Sequence, residues 1–252
     1  MNLEKLKDAI TDKTRMIVCV NLLGNSNDFK VINKLTENKE IILFEDNCES
    51  MGAIYDGKKT GSFGLVGTTS TFFSHIISTI EGGLIVTDDE ELYHIMLSMR
   101  AHGWTRELPK ENKLAEKSDD EFYEQFRFIL PGYNLRPTEI NGAIGIQQLK
   151  KINNLIKERR ENAKAYKKII GSLDNIQVQL EVGKSCWLGF SLIIKNEKIF
   201  SRYDVVQNLK KNGIETRPIV AGNIVHNEFF KKYADYEVFD DLNNSDIVHN
   251  NG

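Results

Sequence analysis

Met16-Ile17-Val18-Cys19-Val20-Asn21-Leu22 is an apolar run rich in valine. It is followed by Asp28-Phe29-Lys30-Val31-Ile32-Asn33-Lys34-Leu35-Thr36 and then by Ile41-Ile42-Leu43-Phe44-Glu45-Asp46. The first run reads as a strand buried on both faces. The second puts Phe29, Ile32 and Leu35 on one helical stripe. The third is another buried strand, and it ends in two carboxylates. Strand, helix, strand in this order is a right-handed βαβ unit of a parallel sheet. Ligands of such sheets sit beyond the carboxyl ends of the strands, which is where Asp46 falls.

Upstream, Leu3, Leu6 and Ile10 give a short helix. Downstream, Thr68–Phe73 and Gly83–Thr87 read as strands, and Asp88 or Asp89 caps a helix from Glu90 to about Ala101. Residues 107–120 are charged, contain Pro109 and lack a period, so they form an exposed loop. Pro131-Gly132-Tyr133-Asn134 is a turn. Thr138 then caps a long amphipathic helix with Ile140, Ile144, Ile146, Leu149, Ile152 and Ile156 on its apolar side. After about Glu161 the pattern becomes α+β: Phe190–Ile194 is a strand, Tyr203–Asn212 a helix closed by Gly213, and Ile214–Pro218 an extended segment. The expectation is an α/β chain in which residues 1–160 belong to a large domain and 161–252 to a smaller one. The chain opens on a helix that feeds a strand directly and stops at Asn250-Asn251-Gly252 with no closing helix, so a piece of a longer protein is expected.

The 252 residues are 40% hydrophobic and 27% charged, an ordinary globular composition. A net charge of -3 gives no electrostatic reason to expect nucleic acid or an anionic membrane as partner. There is no membrane-length apolar run and no signal-peptide pattern. Cys19, Cys48 and Cys186 are scattered, which suits a reducing cytoplasm rather than a disulfide framework. Without a CxxC pair, neither zinc nor another metal is expected.

The chemistry-bearing residues are Glu45-Asp46-Asn47-Cys48-Glu49-Ser50-Met51-Gly52-Ala53, Gly57-Lys58-Lys59-Thr60-Gly61-Ser62-Phe63-Gly64, Thr69-Ser70-Thr71-Phe72-Phe73-Ser74-His75 and Glu81-Gly82-Gly83, with Gly132-Tyr133-Asn134-Leu135-Arg136, Gln147-Gln148-Leu149 and Glu158-Arg159-Arg160 further on. In this order they resemble the DegT/DnrJ/EryC1/StrS sugar aminotransferase family over essentially the whole chain. That resemblance implies the type I PLP-dependent (aspartate aminotransferase-like) fold, with a mostly parallel sheet in the large domain. It implies pyridoxal or pyridoxamine 5'-phosphate as cofactor, with Asp46 facing the pyridine nitrogen. Glu49 would stand near the phenolic oxygen and Ser70 on the phosphate. Asn134 would reach the phosphate region of a neighbouring subunit, so a homodimer is expected. Read without the resemblance, Asp46 is a solvated strand-end residue, Glu49 a helix cap, Ser70 a small strand residue and Asn134 a turn residue. Arg136 reads as structural.

In aminotransferases of the family a lysine five residues after the serine holds the cofactor as a Schiff base. Here that position is His75. An imidazole forms no stable imine but still carries protons near neutral pH. The exchange resembles a dehydratase subgroup that removes the 3-hydroxyl of nucleotide-linked 4-keto-6-deoxy sugars, GDP-4-keto-6-deoxy-D-mannose foremost. In that subgroup the histidine is the acid and base, and glutamate is the amino donor. Gly213-Ile214-Glu215-Thr216-Arg217-Pro218 and Ala221-Gly222-Asn223 resemble the same subgroup, with Arg217 a candidate for an acidic donor or the sugar nucleotide, or else a surface ion pair. Three separated cysteines favour its cluster-free kind. The alternatives are a sugar aminotransferase, using Lys58 or Lys59 from an exposed loop, and a truncated non-catalytic chain. The family also carries an N-terminal phosphate-binding turn that this sequence does not replace, so the chain alone is expected to be poorly soluble or inactive.

Overall fold

Continuous apolar runs build the sheet. The computed structural model describes residues 1–252. It places β1 (Met16–Val20), β2 (Ile42–Asp46), β5 (Val66–Ser70) and β6 (Gly83–Val86) in one sheet in the order β1-β2-β5-β6. The first three are parallel, with Val20 opposite Asp46 and Asp46 opposite Thr68. β6 runs antiparallel to β5, with Ser70 opposite Gly83.

Only one face of this sheet is covered. Ile17, Cys19 and Leu43 pack against Phe29 and Ile32 of α2 (Phe29–Thr36), with Leu3 and Leu6 of α1 (Leu3–Ala9) at the margin. Phe63 stacks on Phe29 at 4.3 Å between centroids. On the other face Met16, Val18, Val20 and Ile42 remain 41–50% exposed. The expectation of strands buried on both sides is therefore corrected. The alternation that a doubly covered strand lacks is present here in the burial, although the sequence is apolar at both phases.

Between β2 and β5, Asp56-Gly57 turns a two-stranded hairpin, β3 (Ile54–Tyr55) against β4 (Lys58–Lys59), with both turn residues at positive φ. The Asp-Gly pair is the usual signature of that turn, so the loop expected around Lys58 is a hairpin. Asp89 caps α3 (Glu90–Met99) through the backbone N–H of Leu92. The charged 107–120 segment is irregular, as expected, and leads into a one-turn helix α4 (Glu121–Glu124) that the sequence reading passed over.

The long helix expected after Thr138 is two helices, α5 (Glu139–Leu149) and α6 (Ile152–Ile170), with α6 running on past residue 160. Of the apolar positions assigned to them, Ile156 is buried, whereas Ile140, Ile146 and Leu149 are exposed and α5 buries nothing. The rest comprises a two-stranded pair, β7 (Ile176–Val178) with β8 (Leu192–Ile194), and the helices α7 (Arg202–Lys211), α8 (Glu228–Tyr233) and α9 (Asn243–Asn251). The expected absence of a closing helix is thus corrected by α9. Its Asn-rich sequence has too weak a stripe to betray it.

Arg159 and Arg160 of α6 lace the two halves together. Arg159 Nη1 donates to the carbonyls of Trp187 and Leu188, and Arg160 donates to those of Ser185 and Gly52. Trp187 is buried, with its indole N–H donating to Glu181 and Lys167 Nζ 5.0 Å over its ring.

Candidate active site

The end of β2 carries two carboxylates that the strand pleat sends to opposite faces. Glu45 points into the covered face and is fully buried. Its carboxylate accepts the backbone N–H groups of Gly61, Phe63 and Gly64 and the Asn21 side-chain amide. The charge is therefore hydrogen-bonded from four sides, as a buried carboxylate must be. This bond set draws the Gly61–Gly64 loop against β5, close enough that only glycine fits at Gly67, where a Cβ would collide with the Gly61 carbonyl.

Asp46 points the other way. Residues paired across a parallel ladder share a face, and so do positions i and i+2 of one strand. Asp46 is opposite Thr68, and Ser70 lies two residues beyond Thr68, so all three side chains project from the open face. Asp46 Oδ1 accepts the Cys48 N–H at 3.1 Å, and its second oxygen has no hydrogen-bond partner. Cys48 Sγ lies 3.8 Å from Thr68 Oγ1. Burial, with the adjacent Asp46 carboxylate, pushes the Cys48 thiol up to about 11. A neutral thiol therefore packs beside the carboxylate.

His75 reaches this face from the β5–β6 connection, with Nδ1 3.4 Å from Ser70 Oγ. That connection is fastened at several points. His75 N–H donates to Phe72 O, and the flanking Ile76 and Ile77 are buried. Thr71 and Thr79 hydroxyls meet at 2.6 Å. From α5, Asn141 Nδ2 donates to the carbonyls of Thr79 and Glu81. The sequence reading missed Thr68, Thr79 and Asn141. Thr68 was legible as the i-2 neighbour of Ser70, but Asn141 acts across 60 residues and leaves no local signal.

Glu49, Asn134 and Arg217 make contacts of their own. Glu49 accepts the Leu23 N–H at 2.7 Å, holding Leu23 in a left-handed turn, so it is not a helix cap. Asn134 is exposed, on a segment paired through its backbone to the end of α3 and making no bond to Asp46, Ser70 or His75. Arg136 lies over the Trp104 ring, the structural role expected for it. Arg217 forms a surface ion pair with Glu215 at 3.2 Å. Lys58 lies 5.2 Å over the Phe63 ring, on the covered side of the sheet and away from Ser70 and His75. No cluster of three or more His, Cys, Asp or Glu side chains is placed to hold a metal, and no helix is long and apolar enough to cross a membrane.

The donor set suits a phosphorylated pyridine. A carboxylate with a free oxygen can face a ring N–H, a hydroxyl on the same face can donate to a phosphate, and an imidazole beside it can move a proton. Fold and site together define a chain of the PLP-dependent aminotransferase-fold class. It belongs to the DegT/DnrJ/EryC1/StrS aminotransferase family, whose model matches residues 1–251. It is 51% identical to the GDP-4-keto-6-deoxy-D-mannose 3-dehydratase of Yersinia pseudotuberculosis and 53% identical to that of Escherichia coli O55:H7, each over the whole chain. It spans 64% and 65% of the length of those two relatives. The E. coli enzyme with bound hydrated PLP superposes with a TM-score of 0.97, covering all of this chain and 65% of that one. Structures of the same kind of enzyme, also at a TM-score of 0.97, hold GDP-perosamine in a histidine-to-asparagine variant and a trapped PLP-glutamate geminal diamine. Another replaces a histidine by lysine together with the serine immediately before it by asparagine.

Proposed function

We propose that this chain works as a pyridoxamine-phosphate-dependent dehydratase that removes the C3 hydroxyl of a nucleotide-linked 4-keto-6-deoxy sugar. GDP-4-keto-6-deoxy-D-mannose is the substrate and glutamate the amino donor. The observation that carries this reading is His75 beside Ser70 on the sheet face that bears Asp46, where an imine-forming lysine would otherwise stand. Identity of 51–53% to enzymes of that name supports it. So does the Ser-His dipeptide altered in one relative, which occurs once here, as Ser74-His75.

When bound, the cofactor supplies an amine that condenses with the C4 ketone and a ring that accepts electrons. The free oxygen of Asp46 holds the proton on the ring nitrogen, which keeps the ring an electron sink. His75 cannot tether the ring. Its imidazole takes the proton from the carbon bearing the amine and returns it to the departing C3 hydroxyl, which leaves as water. The Ser70 hydroxyl donates to the phosphate. Hydrolysis would return the C4 ketone and release ammonia, and glutamate, departing as 2-oxoglutarate, would restore the amine to the cofactor left as the aldehyde. Arg217 exchanges Glu215 for the carboxylate of the donor. Glu49, already bonded to Leu23, stands on the side of the ring's phenolic oxygen. Asn134, with its side chain exposed, serves the phosphate of a second copy in a homodimer. Residues 1–160 form the cofactor-binding part and 161–252 the smaller part.

The test is product analysis of the full-length protein with GDP-4-keto-6-deoxymannose, pyridoxal phosphate and glutamate. A 4-keto-3,6-dideoxy sugar and ammonia are expected. His75→Asn should lose about 100- to 10,000-fold in turnover, the usual weight of a general acid and base. Borohydride reduction should trap no lysine adduct; a trapped lysine and a 4-amino sugar would make the protein an aminotransferase instead.

A further inference from the structure

Ser70 Oγ accepts the backbone N–H of Phe72 at 3.1 Å and lies 3.4 Å from His75 Nδ1. A hydroxyl has one proton and two lone pairs. With one lone pair committed to Phe72, Ser70 offers Nδ1 either its proton or its second lone pair. If the proton points at Nδ1, that nitrogen is bare and the neutral ring carries its hydrogen on Nε2. If the proton is drawn elsewhere, the lone pair accepts from a protonated Nδ1, and Nε2 is bare. The imidazole has little freedom to evade this choice. The His75 backbone is bonded to Phe72 O, Ile76 and Ile77 are buried, and the Phe72 ring stands edge-on at 5.8 Å.

We propose that Ser70 is a positioning residue that selects the neutral tautomer of His75: an anion that engages the Ser70 hydroxyl leaves Nε2 unprotonated and able to accept a proton. The inference rests on the function proposed above, in which that anion is the cofactor phosphate. The change requires one O–H rotation and an exchange of protons with water, Nε2 losing one and Nδ1 gaining one. The consequence is that the basic nitrogen is presented only when the phosphate is in place. Without the anion the same ring keeps its hydrogen on Nε2.

Nitrogen-15 spectra of the histidine rings in the full-length protein report the tautomer directly, because bare and protonated ring nitrogens differ widely in shift. The spectra are taken at a pH where all imidazoles are neutral, and the His75 signals are assigned by their loss in His75→Gln. Saturating pyridoxamine phosphate, with binding followed by absorbance in the same samples, should convert Nε2 from protonated to bare. Pyridoxamine without the phosphate should not. In Ser70→Ala the tautomer should be indifferent to the ligand, and Ser70→Thr should restore the response. Binding with an unchanged tautomer, a full response to pyridoxamine alone, or a response that survives in Ser70→Ala would overturn the inference and leave the dehydratase reading standing. Failure to bind pyridoxamine phosphate at all would overturn both.

Discussion

Glu124 shows how much one side chain can organise in a region that the sequence marks only as charged. Its carboxylate accepts the Thr105 hydroxyl, the Ser118 N–H and the Arg127 guanidinium, and these bonds, the Thr105 one foremost, hold it down at about 2. A folded-state value below the ordinary 4.5 means that the contribution to stability is fully present above 4.5 and is lost as the pH falls toward 2. Glu124→Gln should therefore lower the melting temperature at pH 7 and flatten its decline between pH 4.5 and 2. Thermal melts across that range check this, and an acid limb as steep as that of the parent protein would contradict it. The sequence offered only Arg127, three positions on, as a partner; the other two, Ser118 and Thr105, lie 6 and 19 positions away. Asp46 and His75 were legible for the opposite reason: one ends an apolar strand and the other interrupts a familiar motif. Arg217 was legible as a charge, but the sequence could not say that Glu215, two residues before it, would occupy it.

At the level of elements, the βαβ opening, the Asp89 cap and the α7 helix followed from periodicity and capping chemistry. Helix α5 did not behave as its pattern suggested. Apolar residues surround it rather than form a stripe, so no face is chosen by sequence alone, and its grip on the histidine-bearing connection runs through the polar Asn141. The tightest constraint lies where the Glu45 carboxylate pulls the Gly61–Gly64 loop onto β5. Gly67→Ala would drive a methyl into the Gly61 carbonyl, with backbone on both sides of the clash. A cost of about 1–3 kcal/mol or more is expected from such overpacking. Denaturant titration measures it, and loss of pyridoxamine phosphate binding should accompany it, because Thr68 and Ser70 ride on the same strand.

For the whole molecule, the accessible surface of 17,015 Å² compares with about 11,300 Å² for a compact monomer of this mass. Exposed apolar side chains lie on the open sheet face, on the edge strand β6 and on α5, and also along residues 122–135 and in the C-terminal helices. Apolar area on that scale binds other apolar surfaces. The 252-residue chain prepared alone should bind an anilinonaphthalene dye strongly and associate at micromolar concentration. Replacing Val18 and Val20 by lysine should weaken both effects, as dye fluorescence and light scattering would record; a monodisperse, dye-silent chain would show that the face is covered. The sequence suggested a parallel sheet but not which face would lie open. Its strands are apolar at both phases, and that choice depends on what packs above them.

The back-to-back carboxylates of Glu45 and Asp46 make β2 intolerant of any change in length. Deleting a single residue from Ile41–Phe44 would rotate the strand by half a pleat. The side chain that gathers the Gly61–Gly64 backbone would then face outward, and the Asp46 carboxylate would be driven into the aromatic packing of Phe29 and Phe63. Homologues that diverge freely elsewhere should therefore keep this strand's residue count, because one slip would dismantle the interior and blind the reaction centre together.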